Sequence, residues 1–164
     1  MKTSAILIFL ILLNITSFLS ASGQKPGFAG EWTLDKEKTV LANNQLFLSK
    51  VSIQLKSDSL LTTRVYENGN GEQYPFVENL SLDGKESKIV IYDMPRTSKA
   101  SWSNTDGSLI IESITTFNGN NGEENMTAKE TWKVDNDGKT LIIAFTNKMA
   151  GTESAGINYY NKVK

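Results

Sequence analysis

Three tripeptides of nearly one spelling, Asp83-Gly84-Lys85, Asp106-Gly107-Ser108 and Asp137-Gly138-Lys139, each lead into an apolar, β-branched run. Asp-Gly is favoured in tight hairpin turns because these need positive φ, which Gly accepts without steric cost and Asp tolerates better than most residues. The recurrence constrains the chain to a ladder of β-hairpins. Alternation of apolar and polar residues agrees. In 125–134, Met126, Ala128, Glu130, Trp132 and Val134 share one face, and Thr127, Lys129, Thr131 and Lys133 share the other, as in a strand with one face buried and one wet. The pattern repeats in 50–56, where Val51, Ile53 and Leu55 alternate with Lys50, Ser52, Gln54 and Lys56. Leu141, Ile143 and Phe145 form another apolar face, and 108–117 is apolar on both faces for part of its length, which suits a strand covered on both sides.

Strand-like segments fall near 28–34, 48–56, 60–66, 74–82, 87–92, 99–103, 109–117, 126–134, 141–147 and 156–163. Short turns join antiparallel neighbours, and so many strands in a small domain close on themselves to remove their edges. The expected fold is all-β, an antiparallel up-and-down barrel of about 8–10 strands whose first and last members pair. The longer stretch 35–47 has room for a helical turn or a lid. Glycine- and asparagine-rich 68–71 and 118–122 read as loop tips.

The N-terminus reads as a secretory signal over 1–23: Lys2 gives a positive start, 5–13 is an unbroken apolar run, and Ala21, Ser22 and Gly23 suit signal peptidase. A retained anchor would need roughly 18 apolar residues, and Asn14, Thr16 and Ser17 interrupt the run. Residues 24–164 are then one domain, expected to be a secreted or periplasmic monomer. The chain has no Cys, so neither disulfides nor an N-terminal lipid hold it. A formal net charge of -1, with no basic patch and no polybasic segment, gives no footprint for nucleic acid or for an anionic membrane.

The chain also has no His, which removes the Ser-His-Asp and Cys-His machineries and the usual zinc sites together. No metal or other cofactor is expected. Asp135-Asn136-Asp137-Gly138 overlaps the middle of an EF-hand loop, but the register would put Lys133 first and Ala144 twelfth, where acidic ligands are required. Asn79-Leu80-Ser81 and Asn125-Met126-Thr127 spell glycosylation acceptors inside strands and are read as accidental.

The opening segment Phe28-Ala29-Gly30-Glu31-Trp32-Thr33-Leu34 resembles the Gly-x-Trp strand that begins lipocalins and fatty-acid-binding proteins, the calycin-type barrels. The closing Ile157-Asn158-Tyr159-Tyr160-Asn161-Lys162-Val163 is similar to their last strand, which often carries an aromatic residue near a Lys. The resemblance spans the mature chain and implies a bacterial lipocalin-like domain that binds a small hydrophobic or amphipathic molecule in its lumen. Fatty-acid-binding proteins carry an Arg two residues before a Tyr on the last strand to grip the ligand carboxylate. Here Asn158 precedes Tyr160, so the resemblance does not carry fatty-acid specificity.

Strand parity nominates the lumen. Trp32 plugs one end, and Leu55, Phe76, Trp102, Ile111, Trp132 and Tyr160 point inward, with Trp102 placed near the mouth by the turn that follows it. Glu130 lies on an otherwise apolar face, where a charge needs a partner. Arg64 supplies one if Leu60, Thr62 and Arg64 form the inner face of their strand; the other parity, Leu61, Thr63 and Val65, is equally apolar and sends Arg64 outward. Glu78 shares parity with Phe76 and Leu80 and is a second inward acid. The candidate ligand-binding set is Arg64, Phe76, Trp102, Glu130, Trp132 and Tyr160, with a structural ion-pair role for the charged members as the alternative. Two rival functions stay open: a non-enzymatic envelope or interaction module whose barrel is filled by its own side chains, and an enzyme using Glu78 and Glu130 as paired carboxylates at roughly 5 to 9 Å.

Overall fold

The computed structural model describes residues 27–40, 46–119 and 122–164. The signal assigned to 1–23 and residues 41–45 of the proposed lid in 35–47 lie outside the described residues; before them Thr39 N–H donates to Asp35 O at 3.0 Å in a single helical turn. Ten strands form one antiparallel sheet: β1 (Gly30–Leu34), β2 (Phe47–Leu55), β3 (Ser59–Glu67), β4 (Gln73–Ser81), β5 (Ser87–Ile91), β6 (Met94–Trp102), β7 (Leu109–Gly119), β8 (Gly122–Val134), β9 (Thr140–Met149) and β10 (Thr152–Lys162). Each strand pairs with its neighbours in sequence except across β4 and β5, and β1 pairs with β10 through Trp32↔Lys162, Thr33↔Asn161 and Leu34↔Tyr160. The up-and-down barrel expected from the turn ladder is therefore present, nearly closed, with β4 and β5 as its two edges.

No backbone ladder joins β4 to β5; just past β4 a single backbone bridge pairs Asp83 with Ser101, Gly84 N–H donating to Ala100 O at 3.0 Å, and side chains do the rest. Ser87 Oγ donates to Asn79 O at 2.8 Å and the Tyr92 hydroxyl to Pro75 O at 2.7 Å. Inside the barrel, Ser98 Oγ and Arg96 Nε of β6 donate to Glu78 Oε1 of β4 at 2.5 and 3.1 Å. Pro75 suits an edge, since proline has no N–H to leave unpaired at the seam.

Asp106-Gly107 and Asp137-Gly138 join paired strands, β6 with β7 and β8 with β9, but Asp83-Gly84 joins β4 to β5, which do not pair, so that site is not the hairpin expected from sequence; none of the three is a turn of the primed kind. Only the glycines have positive φ, at 79° for Gly84, 68° for Gly107 and 70° for Gly138. The aspartates act through their side chains: Asp83, Asp106 and Asp137 Oδ1 each accept the backbone N–H two residues on, from Lys85, Ser108 and Lys139, at 3.1, 3.2 and 2.9 Å. This is the Asx-turn that makes Asp a turn former. Two-residue turns with both centres at positive φ occur instead at Tyr92-Asp93 (47° and 65°) and Ala150-Gly151 (47° and 79°). The first of these carries no glycine, so β6 begins well before the 99–103 expected from sequence.

The core is built in layers. At one end Phe28, Trp32, Leu60, Leu80, Leu109, Leu141 and Trp132 are fully buried, and Trp32 Nε1 donates to Phe28 O at 2.8 Å. The Lys162 ammonium lies 5.0 Å over the Trp32 ring, and Gly30, with φ of 130°, is where Lys162 crosses: an added Cβ would stand 2.9 Å from Lys162 Cε. The Gly-x-Trp spelling thus has a local cause, a glycine beneath a lysine that covers the plug. Burying an indole of this size contributes roughly 2–3 kcal/mol.

Candidate functional site: a charged layer under the barrel mouth

Above the apolar layer, the inner faces of β3, β4, β6 and β8 bring Arg64, Glu78, Arg96, Ser98 and Glu130 together, all of them buried. The open parity of β3 is settled: Leu60, Thr62 and Arg64 face inward. Arg64 Nη1 donates to both oxygens of Glu130, at 2.8 and 3.0 Å, and Trp132 Nε1 donates to Glu130 Oε2 at 2.7 Å. The guanidinium carbon of Arg64 stands 5.0 Å from the Trp132 ring centre and 6.0 Å from that of Phe76, so the cation lies over two aromatic rings. Phe76 also receives Arg96 at 5.8 Å and stacks on Tyr66 at 5.9 Å.

Two guanidinium groups and two carboxylates compensate one another in this layer, which is why so much charge can be buried. Arg64 is 0 % exposed and Glu78 1 %. Arg64 Nη2 faces Glu78 Oε2 at 3.9 Å, an ion-pair distance without a hydrogen bond, and Arg64 Nε likewise makes none. Burial alone would lower the Arg64 pKa, but the carboxylates of Glu130, which also bonds it, and Glu78 raise it above its ordinary value. Burial alone would raise the Glu78 carboxyl; Arg64, Arg96 and the Ser98 hydroxyl outweigh it and hold the group below the ordinary carboxylate value. Tyr66 is pushed up by burial and then by Glu130, and Tyr160 mainly by burial, so both phenols keep their protons at neutral pH.

Over Glu130 lies a cavity of about 100 Å³, lined by Leu48, Tyr66, Ile143, Phe145, Asn147, Asn158 and Tyr160, with Val40, Leu46 and Phe47 toward its rim. A bulge in β2 shapes this wall. Register shifts between Leu48 and Lys50, inserting Ser49, whose hydroxyl donates to Val65 O at 3.1 Å; both Leu48 and Val51 are then buried. Bulges re-aim side chains at such positions. Tyr160 donates to Leu48 O at 3.1 Å and is approached by Asn158 Nδ2 at 3.5 Å. Phe145 lies across Gly156, where an added Cβ would stand 2.9 Å from Phe145 Cζ.

Of the residues nominated from sequence, Arg64, Phe76, Glu130 and Trp132 meet in the charged layer, and Glu130 and Tyr160 line the cavity. Trp102 is elsewhere. Its ring packs on Phe28 with centroids 5.5 Å apart, at the apolar end opposite the cavity. Arg96 and Ser98 escape the sequence reading because Pro95 looks like a turn and Tyr92-Asp93 does not. Extending the parity of Ala100 and Trp102 back through Ser98 to Arg96 is the signal that finds them. Among the described residues no cluster of acidic side chains is suited to a metal ion.

No protein-family model matches the chain, and comparisons with curated proteins and with solved structures likewise return no match. The fold and site define the class: a nearly closed, ten-stranded antiparallel barrel with a compensated charged layer beneath one end.

Proposed function

We propose that this protein is an exported, calycin-like binding protein that takes one end of a small amphipathic molecule into the mouth of its barrel. The observation that carries the reading is the cavity itself: its walls are apolar, and its floor presents the Glu130 carboxylate beside Tyr66, Asn158 and Tyr160, with Asn147 nearer the rim. At about 100 Å³ it is well below the roughly 300 to 1,000 Å³ of sites that engulf a ligand. It suits a head group or a short molecule, with the remainder lying along Phe47, Leu46 and Val40. The Gly-x-Trp opening, the paired first and last strands and the lysine over the plug support the calycin-like assignment.

The small cavity also favours a second reading, in which the barrel is filled by its own side chains and serves an envelope or interaction role. Trp32, Trp132, Arg64 and Tyr160 are its largest fully buried groups, and the charged layer would then fix strand register. Catalysis by Glu78 and Glu130 draws no support from the geometry, because both carboxylates are engaged by arginines and Glu78 does not line the cavity.

An environment-sensitive apolar dye separates the two. A mouth site binds the dye, and Asn147→Trp, placed at the rim, weakens binding at least tenfold with an unchanged melting temperature. No binding by the wild-type protein, or equal binding by both, would favour the filled barrel.

A further inference from the structure

Among the described residues, the wall of the cavity bears one formal charge, and it is negative. Glu130 lines the cavity whereas its partner Arg64, 0 % exposed, does not. The Arg64–Glu130 pair is therefore a dipole with its negative end toward the opening. Glu130 accepts from Arg64 Nη1 at both oxygens and from Trp132 Nε1, while an ionised carboxylate offers about four lone-pair sites. Acceptor capacity remains for a donor entering from the mouth. The Asn147 and Asn158 carbonyls add neutral acceptors, and the phenols of Tyr66 and Tyr160 stay uncharged. At the rim the Lys36 ammonium stands 5.3 Å from the Phe47 ring centre, but it pairs with Glu67 at 3.4 Å, so the two charges offset one another.

From this arrangement we infer that the site selects a donor-bearing head group, an amine or a hydroxyl on an apolar body, and rejects a carboxylate. An anionic head would meet the exposed edge of Glu130 in a confined, partly desolvated space, where like charges are not well screened. The guanidinium edges that could welcome it lie beneath Glu130. An ammonium gains the charge and donates up to three hydrogen bonds; a hydroxyl gains one donor bond and pays little desolvation. This rests on the mouth being a binding site, as proposed above.

The test is competition against the apolar dye by n-octylamine, n-octanol and octanoate, which share a chain length and differ in the head. Octylamine and octanol are expected to displace the dye at concentrations at least tenfold lower than octanoate. Glu130→Gln should erase the advantage of octylamine over octanol. Should that variant fail to fold, Asn147→Asp adds a negative charge at the rim without touching the Arg64 pair, and it should widen the amine preference severalfold. Octanoate binding as well as or better than the other two would overturn the head-group assignment while leaving the mouth site standing. Failure of the wild-type protein to bind the dye would remove the site and the assignment together.

Discussion

Deleting the Glu130 carboxylate with Glu130→Ala tests what the Arg64 pair does for the fold. Two groups lose their acceptor: Arg64 Nη1, bonded to both carboxylate oxygens, and Trp132 Nε1, bonded at 2.7 Å. The guanidinium is then left at 0 % exposure with Glu78 Oε2 at 3.9 Å as its nearest counter-charge. Stranding a buried charge costs about 3–5 kcal/mol. In a domain of this size that lowers the melting temperature by roughly 10–20 °C. The double variant Arg64→Met/Glu130→Met removes both charges, leaves Glu78 with Arg96 and Ser98, and fills much of the space. Its remaining penalty is the orphaned Trp132 N–H, about 1–3 kcal/mol. Thermal and urea unfolding of the four proteins of the cycle, the wild type, Arg64→Met, Glu130→Met and the double variant, should therefore show the double variant to be more stable than Glu130→Met, which strands Arg64 as Glu130→Ala does. A double variant as unstable as the two single changes added together would refute the compensated pair as the reason this charge is tolerated.

Acid should weaken the fold through Glu78. Its folded pKa lies below the ordinary value of 4.5, so its stabilisation is fully present above that value and is lost as pH falls through the folded one; Glu78→Gln should flatten the stability curve below about pH 4.5, measured by urea titration at stepped pH. Asp93→Gly relieves a non-glycine at φ 65° and should raise stability by about 1 kcal/mol. Phe145→Ala removes the half-buried ring that crosses Gly156 and closes the cavity; it should cost about 2 kcal/mol and tighten binding of a bulkier dye, and a dye affinity unchanged by the substitution would place the site elsewhere.

Much of this arrangement was legible because a strand has a period of two. Once Glu130 was placed between Ala128 and Trp132, its inward direction followed from arithmetic, and Arg64 was its natural partner. What alternation could not decide was which parity of β3 faces the core, since Leu60, Thr62, Leu61 and Thr63 are equally suited to either side. Only the position of Glu130, on a strand far away in sequence, makes the choice. Turn chemistry misled in the other direction. Three Asp-Gly pairs advertised primed turns and formed Asx-turns, whereas Tyr92-Asp93 adopted φ values of 47° and 65° without glycine. The Tyr92 hydroxyl, bonded to Pro75 O at 2.7 Å, gives a tertiary reason for the strained conformation, and such a bond across the seam is invisible to local propensity. Trp102 shows a third limit: parity sets which side a residue faces, but not which end of the barrel it occupies.

The seam and the site share the same residues. Glu78 belongs to β4, one edge of the sheet, and its Oε1 accepts from Ser98 and Arg96 on β6, next to the other edge. Its second oxygen faces Arg64, and Arg64 holds Glu130 on β8, the floor of the cavity. A chain of charge contacts therefore runs from the seam, where β4 and β5 share no backbone ladder, to the place where a ligand would touch the barrel. Opening the seam would break this chain at its first link, drawing Glu78 away from Arg96 and leaving Arg96, 6 % exposed, short of an anion, at a cost of about 3–5 kcal/mol against about 1–3 kcal/mol for the two hydroxyl-to-carbonyl bonds on the outer side. Of the side-chain contacts across the seam, the charged layer is thus the stronger part. Any ligand that changes how Glu130 engages Arg64 acts on that closure through two intervening contacts.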